Sequence, residues 1–141
     1  MRVILDTNVF ISGIFFAGPP YRILKAWRDG KIQLVISPEI LEEYRRVSHA
    51  LAKQFPAINL MPILEMVAVK AEAFPDQSLP RSVCIDPDDD KFLACALIGK
   101  CKLIVSGDKH LLRVAGYRGI KVIKPREFAK DYLSRPGKQP K

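Results

Sequence analysis

Asp6 closes the apolar run Val3-Ile4-Leu5, and Asp108 follows a second run, Leu103-Ile104-Val105, after Ser106 and Gly107. Short, almost wholly apolar runs of this kind read as buried strands of a parallel sheet. An acid just past each run stands at a strand's carboxyl end, where open α/β sheets hold their ligands. Two further acids join them by helical phase. In Pro38–Leu51 the residues Ile40, Leu41, Tyr44, Val47 and Leu51 make an apolar stripe, and Glu43 borders it while Glu42 and Arg46 lie on the far side. In the acidic segment Asp86-Pro87-Asp88-Asp89-Asp90, Asp90 shares a face with Ala94 and Leu97 and is expected to point inward. Asp88 and Asp89 have a simpler reading as helix caps or dipole partners.

Asp6, Glu43, Asp90 and Asp108 at one sheet edge would repel one another unless a cation sits among them. Oxygen ligands without a convergent His or Cys select a hard ion, Mg²⁺ or Mn²⁺. One such ion, or a pair about 4 Å apart, activates water and stabilises displacement at a phosphodiester. Asn8 and Ser106 stand close in sequence to two of the acids and are candidates for positioning the water or a carboxylate.

The elements that must position these groups alternate. Strands are expected at about 2–5, at Gln33–Ile36, at Val83-Cys84-Ile85, at Leu103–Val105 and at Ile120–Ile123. Helices are expected at about 20–29, 38–53, 58–74, 89–99 and 125–133, with Pro19 and Pro20 opening the first, Gly30 just past its end, and Ser37-Pro38 opening the second. Such alternation makes an α/β three-layer sandwich with a parallel five-stranded sheet. Residues 1–133 form one domain and 134–141 a disordered basic tail.

The chain has 141 residues and 48% apolar content, enough for a real core. No run is long enough to span a membrane, and no signal peptide is evident. Three cysteines, irregularly spaced, fit buried free thiols in a reducing cytoplasm. Charge is uneven: residues 1–98 carry 11 Lys/Arg and 12 Asp/Glu, whereas 99–141 carry 12 Lys/Arg and only Asp108, Glu127 and Asp131. A net of −1 followed by +9 points to a polyanion partner, nucleic acid before membrane. Lys109, Arg113, Arg118, Lys121 and Lys124 are the candidate contacts.

At these residues the sequence resembles the PIN-domain family of metal-dependent ribonucleases. Asp6-Thr7-Asn8 is similar to its opening motif, Ser37–Tyr44 to its second with Glu43 as the acid, Asp90–Ala96 to its third and Ser106–Lys109 to its fourth. The likeness spans about 1–130. It implies a strand order of 3-2-1-4-5 and cleavage of single-stranded or structured RNA by water at Mg²⁺ or Mn²⁺. It further implies a frequent role as the toxin of a toxin–antitoxin pair, with a small antitoxin partner and a homodimeric state.

Two rivals differ in class. A haloacid dehalogenase-like phosphatase also begins with Asp after its first strand, but its general acid would have to be Asn8, which has no proton to give. A nucleic-acid-binding module with an idle metal site would not need all four acids. His49 and His110 are isolated and read as surface or structural, although His110 is near enough to Asp108 to meet substrate. Trp27, with Ile23 and Leu24, reads as core.

Overall fold

The computed structural model describes residues 1–133, and the expected basic tail at 134–141 lies outside the described residues. The chain runs β1 (Arg2–Leu5), α1 (Thr7–Phe15), α2 (Pro19–Arg28), β2 (Gln33–Ile36), α3 (Pro38–Ala52), α4 (Met61–Lys70), β3 (Glu72–Ala73), α5 (Asp90–Ile98), β4 (Leu103–Val105), α6 (Lys109–Arg113), β5 (Lys121–Ile123) and α7 (Pro125–Phe128). The strands form one parallel sheet of order β3-β2-β1-β4-β5, the order implied by the resemblance. The chain winds outward from β1 to β3, then returns to lay β4 beside β1. With right-handed crossovers this reversal sends the connecting helices to opposite faces of the sheet, which gives an α/β fold in three layers. It also makes the gap between the carboxyl ends of β1 and β4 the topological switch point.

The central strands are apolar because both their faces are covered. Val3, Ile4, Leu34, Val35, Ile104 and Val105 are wholly buried. Tyr44 of α3 stacks on Phe10 of α1 with ring centroids 4.1 Å apart, and its hydroxyl donates to the Leu5 carbonyl at 2.5 Å. One side chain thus fastens α3 to the residue before Asp6. Ser37 caps α3 as expected, accepting from the Ile40 N–H, and Ile23, Leu24 and Trp27 are core. The three cysteines are free and buried. No helix among the described residues is long and apolar enough to cross a membrane.

Two expectations need correction. The third strand is not Val83–Ile85 but Glu72–Ala73, an exposed two-residue edge paired with Val35 and Ile36. The helix expected over 58–74 is shorter, because its last residues leave α4 to make that strand. Between β1 and α2 lies a helix outside those expectations, α1, whose residues are buried around most of its circumference.

Candidate metal centre at the switch point

Asp6 stands one residue beyond β1 and caps α1: its Oδ1 accepts from the Val9 N–H at 2.9 Å. Its other oxygen accepts from the Ser106 hydroxyl, and the same hydroxyl oxygen accepts from the Asp108 N–H at 2.9 Å. Ser106 is wholly buried just past β4. Its hydroxyl, donating to one acid and accepting from the backbone of the other, holds the two in register. Asp108 in turn caps α6 through the His110 N–H at 3.0 Å. The two acids are neighbours because β1 and β4 pair as Ile4 with Ile104 and Leu5 with Val105.

Asp6 is only 4% exposed. Burial pushes its carboxyl up to about 6 against two hydrogen bonds that pull it down, and the charges of Asp108 and Glu43 push the same way as burial. None of these influences is cationic. Next to it, the hydroxyl of Thr7 is buried with no hydrogen-bond partner.

A second acid faces Asp108, and it is Asp89. Asp89, Asp108 and His110 each offer a ligand atom within 4.8 Å of the others. His110 Nδ1 lies 3.7 Å from Asp89 and 3.9 Å from Asp108. Burial, then a hydrogen bond and repulsion from Asp108, push Asp89 up to about 7, while Lys91 pulls it back. A divalent ion between the two carboxyls would relieve that repulsion.

Asp90 is turned elsewhere. Its carboxylate accepts from the Ser82 hydroxyl at 3.0 Å, the Val83 N–H at 3.1 Å and the Cys84 N–H at 2.8 Å. Burial raises its pKa, but the hydrogen bonds from Cys84, Val83 and Ser82 outweigh it and leave the group below the usual carboxylate range. Asp90 thus holds the 82–84 loop in place of a strand. The turn that precedes α5, Pro87–Asp89, is capped by Asp86, which accepts from the Asp88 N–H. Capping therefore belongs to Asp86, and Asp88 instead pairs with Lys91.

Glu43 lies at the rim of the site, close enough for its charge to act on Asp6. Its buried Oε1 is 2.9 Å from the Lys91 ammonium, off the line of a good hydrogen bond but at ion-pair distance. Lys91 is desolvated, yet Glu43 and Asp88 hold its pKa above the ordinary value. Asn8 is exposed on the first turn of α1.

Residues 2–110 match the PIN domain. The chain belongs to the PIN-domain family. It is also similar to an uncharacterized protein of Methanocaldococcus jannaschii, at 29% identity over 94% of this chain and 92% of that protein. PIN domains are typically metal-dependent nucleases, and the acids gathered at the switch point agree with this. A buried, uncompensated Asp6 and a pair of facing carboxylates form a donor set that suits a divalent cation. The motif read at Asp90 is present, but Asp89, one residue earlier, is the acid brought to Asp108.

The PIN domain's surface charge divides between the two ends of the sheet. Lys124 follows β5 at the carboxyl edge, and Lys109 opens α6 beside Asp108. Lys121, paired with Leu103, and Arg118 lie at the amino ends of these strands, the opposite edge. Arg113 ends α6 between them. All five are exposed.

Proposed function

We propose that this PIN domain is an endoribonuclease that hydrolyses RNA phosphodiester bonds with Mg²⁺ or Mn²⁺. The observation that carries the reading is the Asp6–Ser106–Asp108 chain at the switch point, joined by Asp89. Asp6, Asp89 and Asp108 would hold the ion, with His110 at the rim. A bound divalent ion lowers the pKa of a water and neutralises charge on the phosphoryl oxygens. Asn8, exposed beside Asp6, is a donor for a phosphate oxygen, and Lys109 and Lys124 are placed to draw a single strand across the carboxyl edge.

The test is incubation of metal-loaded protein with single-stranded RNA, hairpin RNA and, separately, a phosphomonoester. Metal-dependent internal cleavage of RNA, abolished in Asp6→Asn and Asp108→Asn, is the expected result. Turnover of the phosphomonoester alone would favour the phosphatase reading. RNA binding without cleavage at any metal concentration would favour an idle site.

The toxin role, a small antitoxin partner and a cytoplasmic homodimer extend the proposal, and the family resemblance supports them. Met61 and Val69 on α4 are exposed apolar side chains available to a second copy. Growth arrest on induced expression, relieved by Asp6→Asn, tests the toxin role. Light scattering tests the dimer.

A further inference from the structure

Lys91 lies in the first turn of α5, yet its side chain is only 5% exposed. Three oxygens surround its Nζ: Glu43 Oε1 at 2.9 Å, Asp88 Oδ1 at 3.0 Å and the Asp88 carbonyl at 2.6 Å. An ammonium has three protons and no lone pair. It donates to the Asp88 carbonyl and lies at ion-pair distance from the Glu43 and Asp88 carboxylates, so its charge is met within the protein. Burying so compact a charge is costly unless partners satisfy it, and removing one partner leaves an uncompensated charge. The side chain is therefore held in place by its environment and is not a surface group that happens to fold inward.

The consequence concerns Glu43, the acid that the second motif contributes. A metal pair needs carboxylates on both flanks, with at least one shared between the ions. The flank formed by α3 carries a protein cation 2.9 Å from the Glu43 oxygen that is cut off from solvent. What remains for an ion is the group Asp89, Asp108 and His110, to which Asp6 is tied through Ser106. That set suffices for one hard divalent ion, which keeps several of its waters. On the α3 side the Lys91 ammonium stands against Glu43 Oε1, where a second ion would need that oxygen.

We propose that Lys91 is a fixed protein cation that occupies the place of a second metal, withdraws Glu43 from coordination and restricts the centre to one divalent ion. Lys91 is thus a positioning residue, and Glu43 acts on the site through its charge and its hold on α5. This rests on the metal-dependent reading above but concerns stoichiometry, which is measured without substrate.

Mn²⁺ titration followed by the electron paramagnetic resonance of free ion, with calorimetry alongside, tests it. Wild type should take up one Mn²⁺. Lys91→Met frees Glu43 and should take up two. The double variant Glu43→Gln/Lys91→Met removes the pair without leaving a lone charge, and should again bind one ion with affinity within fivefold of wild type. Two ions in wild type, or one ion in a folded Lys91→Met, would overturn the proposal. Should Lys91→Met fail to fold, the double variant decides: affinity within fivefold supports the proposal, and a larger loss makes Glu43 a ligand and ends it. RNA cleavage measured in parallel separates the two claims. A wild type that binds one ion and cleaves nothing removes the nuclease reading alone, while one that cleaves with two ions removes the stoichiometry alone.

Discussion

The hydroxyl of Ser106 joins Asp6 to Asp108, donating to the carboxylate of one and accepting from the backbone N–H of the other at 2.9 Å. It is one of the influences that lower the pKa of a buried acid which would otherwise be harder to ionise. Ser106→Ala should therefore raise the Asp6 pKa further. Metal affinity should fall about 10–100-fold, as for other groups that orient a ligand. Because the hydrogen bond involves a charged group, stability should fall by about 1.5–3 kcal/mol when Asp6 is ionised. Calorimetric titration with Mn²⁺ and denaturant melts measure both, and an unchanged metal affinity would show that Ser106 is only packing.

The pH dependence follows from Asp6 at about 6 and Asp89 at about 7. Both values are raised, so the folded protein binds these protons more tightly than the unfolded chain does. Ionising them works against the fold, and the metal-free protein should lose stability as pH rises from the ordinary carboxylate range through about 7. Asp90 acts in the opposite sense. Its pKa is lowered, so its contribution is present at neutral pH and is lost as pH falls below the usual carboxylate range. Metal ligands must be deprotonated, so Mn²⁺ affinity should climb steeply between about pH 6 and 7, with protons released on binding. Melting curves in chelator and in saturating Mn²⁺ should differ most at the alkaline end. Equal pH dependence in both would refute the assignment.

Much of this was legible in the sequence because β1 and β4 are short apolar runs that end in an acid, and adjacent parallel strands bring such ends together. The phase of α3 likewise set Glu43 beside the apolar stripe as the inward acid of that helix, and its charge acts on Asp6. β3 escaped because an exposed pair, Glu72-Ala73, carries no apolar signal, while Val83-Cys84-Ile85 carries one and is held as a loop by Asp90. Asp90 opens α5 on the face of Ala94 and Leu97, but its carboxylate is taken up by the 82–84 loop, and Asp89, in the turn before it, is the acid brought to Asp108. Lys91, charged and mid-motif, gave no sequence sign of being buried, since charged residues are rarely inside unless paired. Its partners come from α3 and from the turn beside it, and such convergence is visible only in three dimensions.

Adjacent acids with different partners should fail differently when replaced. Asp90→Ala strips the acceptor from two N–H groups and a hydroxyl, and should cost about 1.5–3 kcal/mol. Trypsin should then cut faster after Arg81, beside the released loop. Asp89→Asn should keep the fold and weaken Mn²⁺ binding. A larger loss of metal affinity in Asp90→Asn than in Asp89→Asn would restore Asp90 as the ligand that the motif suggested.

The basic residues can be divided by where the parallel sheet places them. Lys109 and Lys124 lie at the edge that carries Asp6 and Asp108, whereas Arg118 and Lys121 lie at the other. Every single-strand phosphate contact adds about −0.7 to the slope of log affinity against log salt. Neutralising Lys109 and Lys124 together should flatten that slope by about 1 to 1.5 units, since two contacts are lost. Neutralising Arg118 and Lys121 should change it much less, although the same charge is removed. Net charge alone would make the two pairs equivalent, so the contrast isolates geometry from bulk attraction. Filter binding of a short single-stranded RNA to Asp6→Asn, expected to bind without cutting, supplies the slopes. Equal flattening by both pairs would mean that RNA crosses the whole face of β5, and that the track does not follow the carboxyl edge.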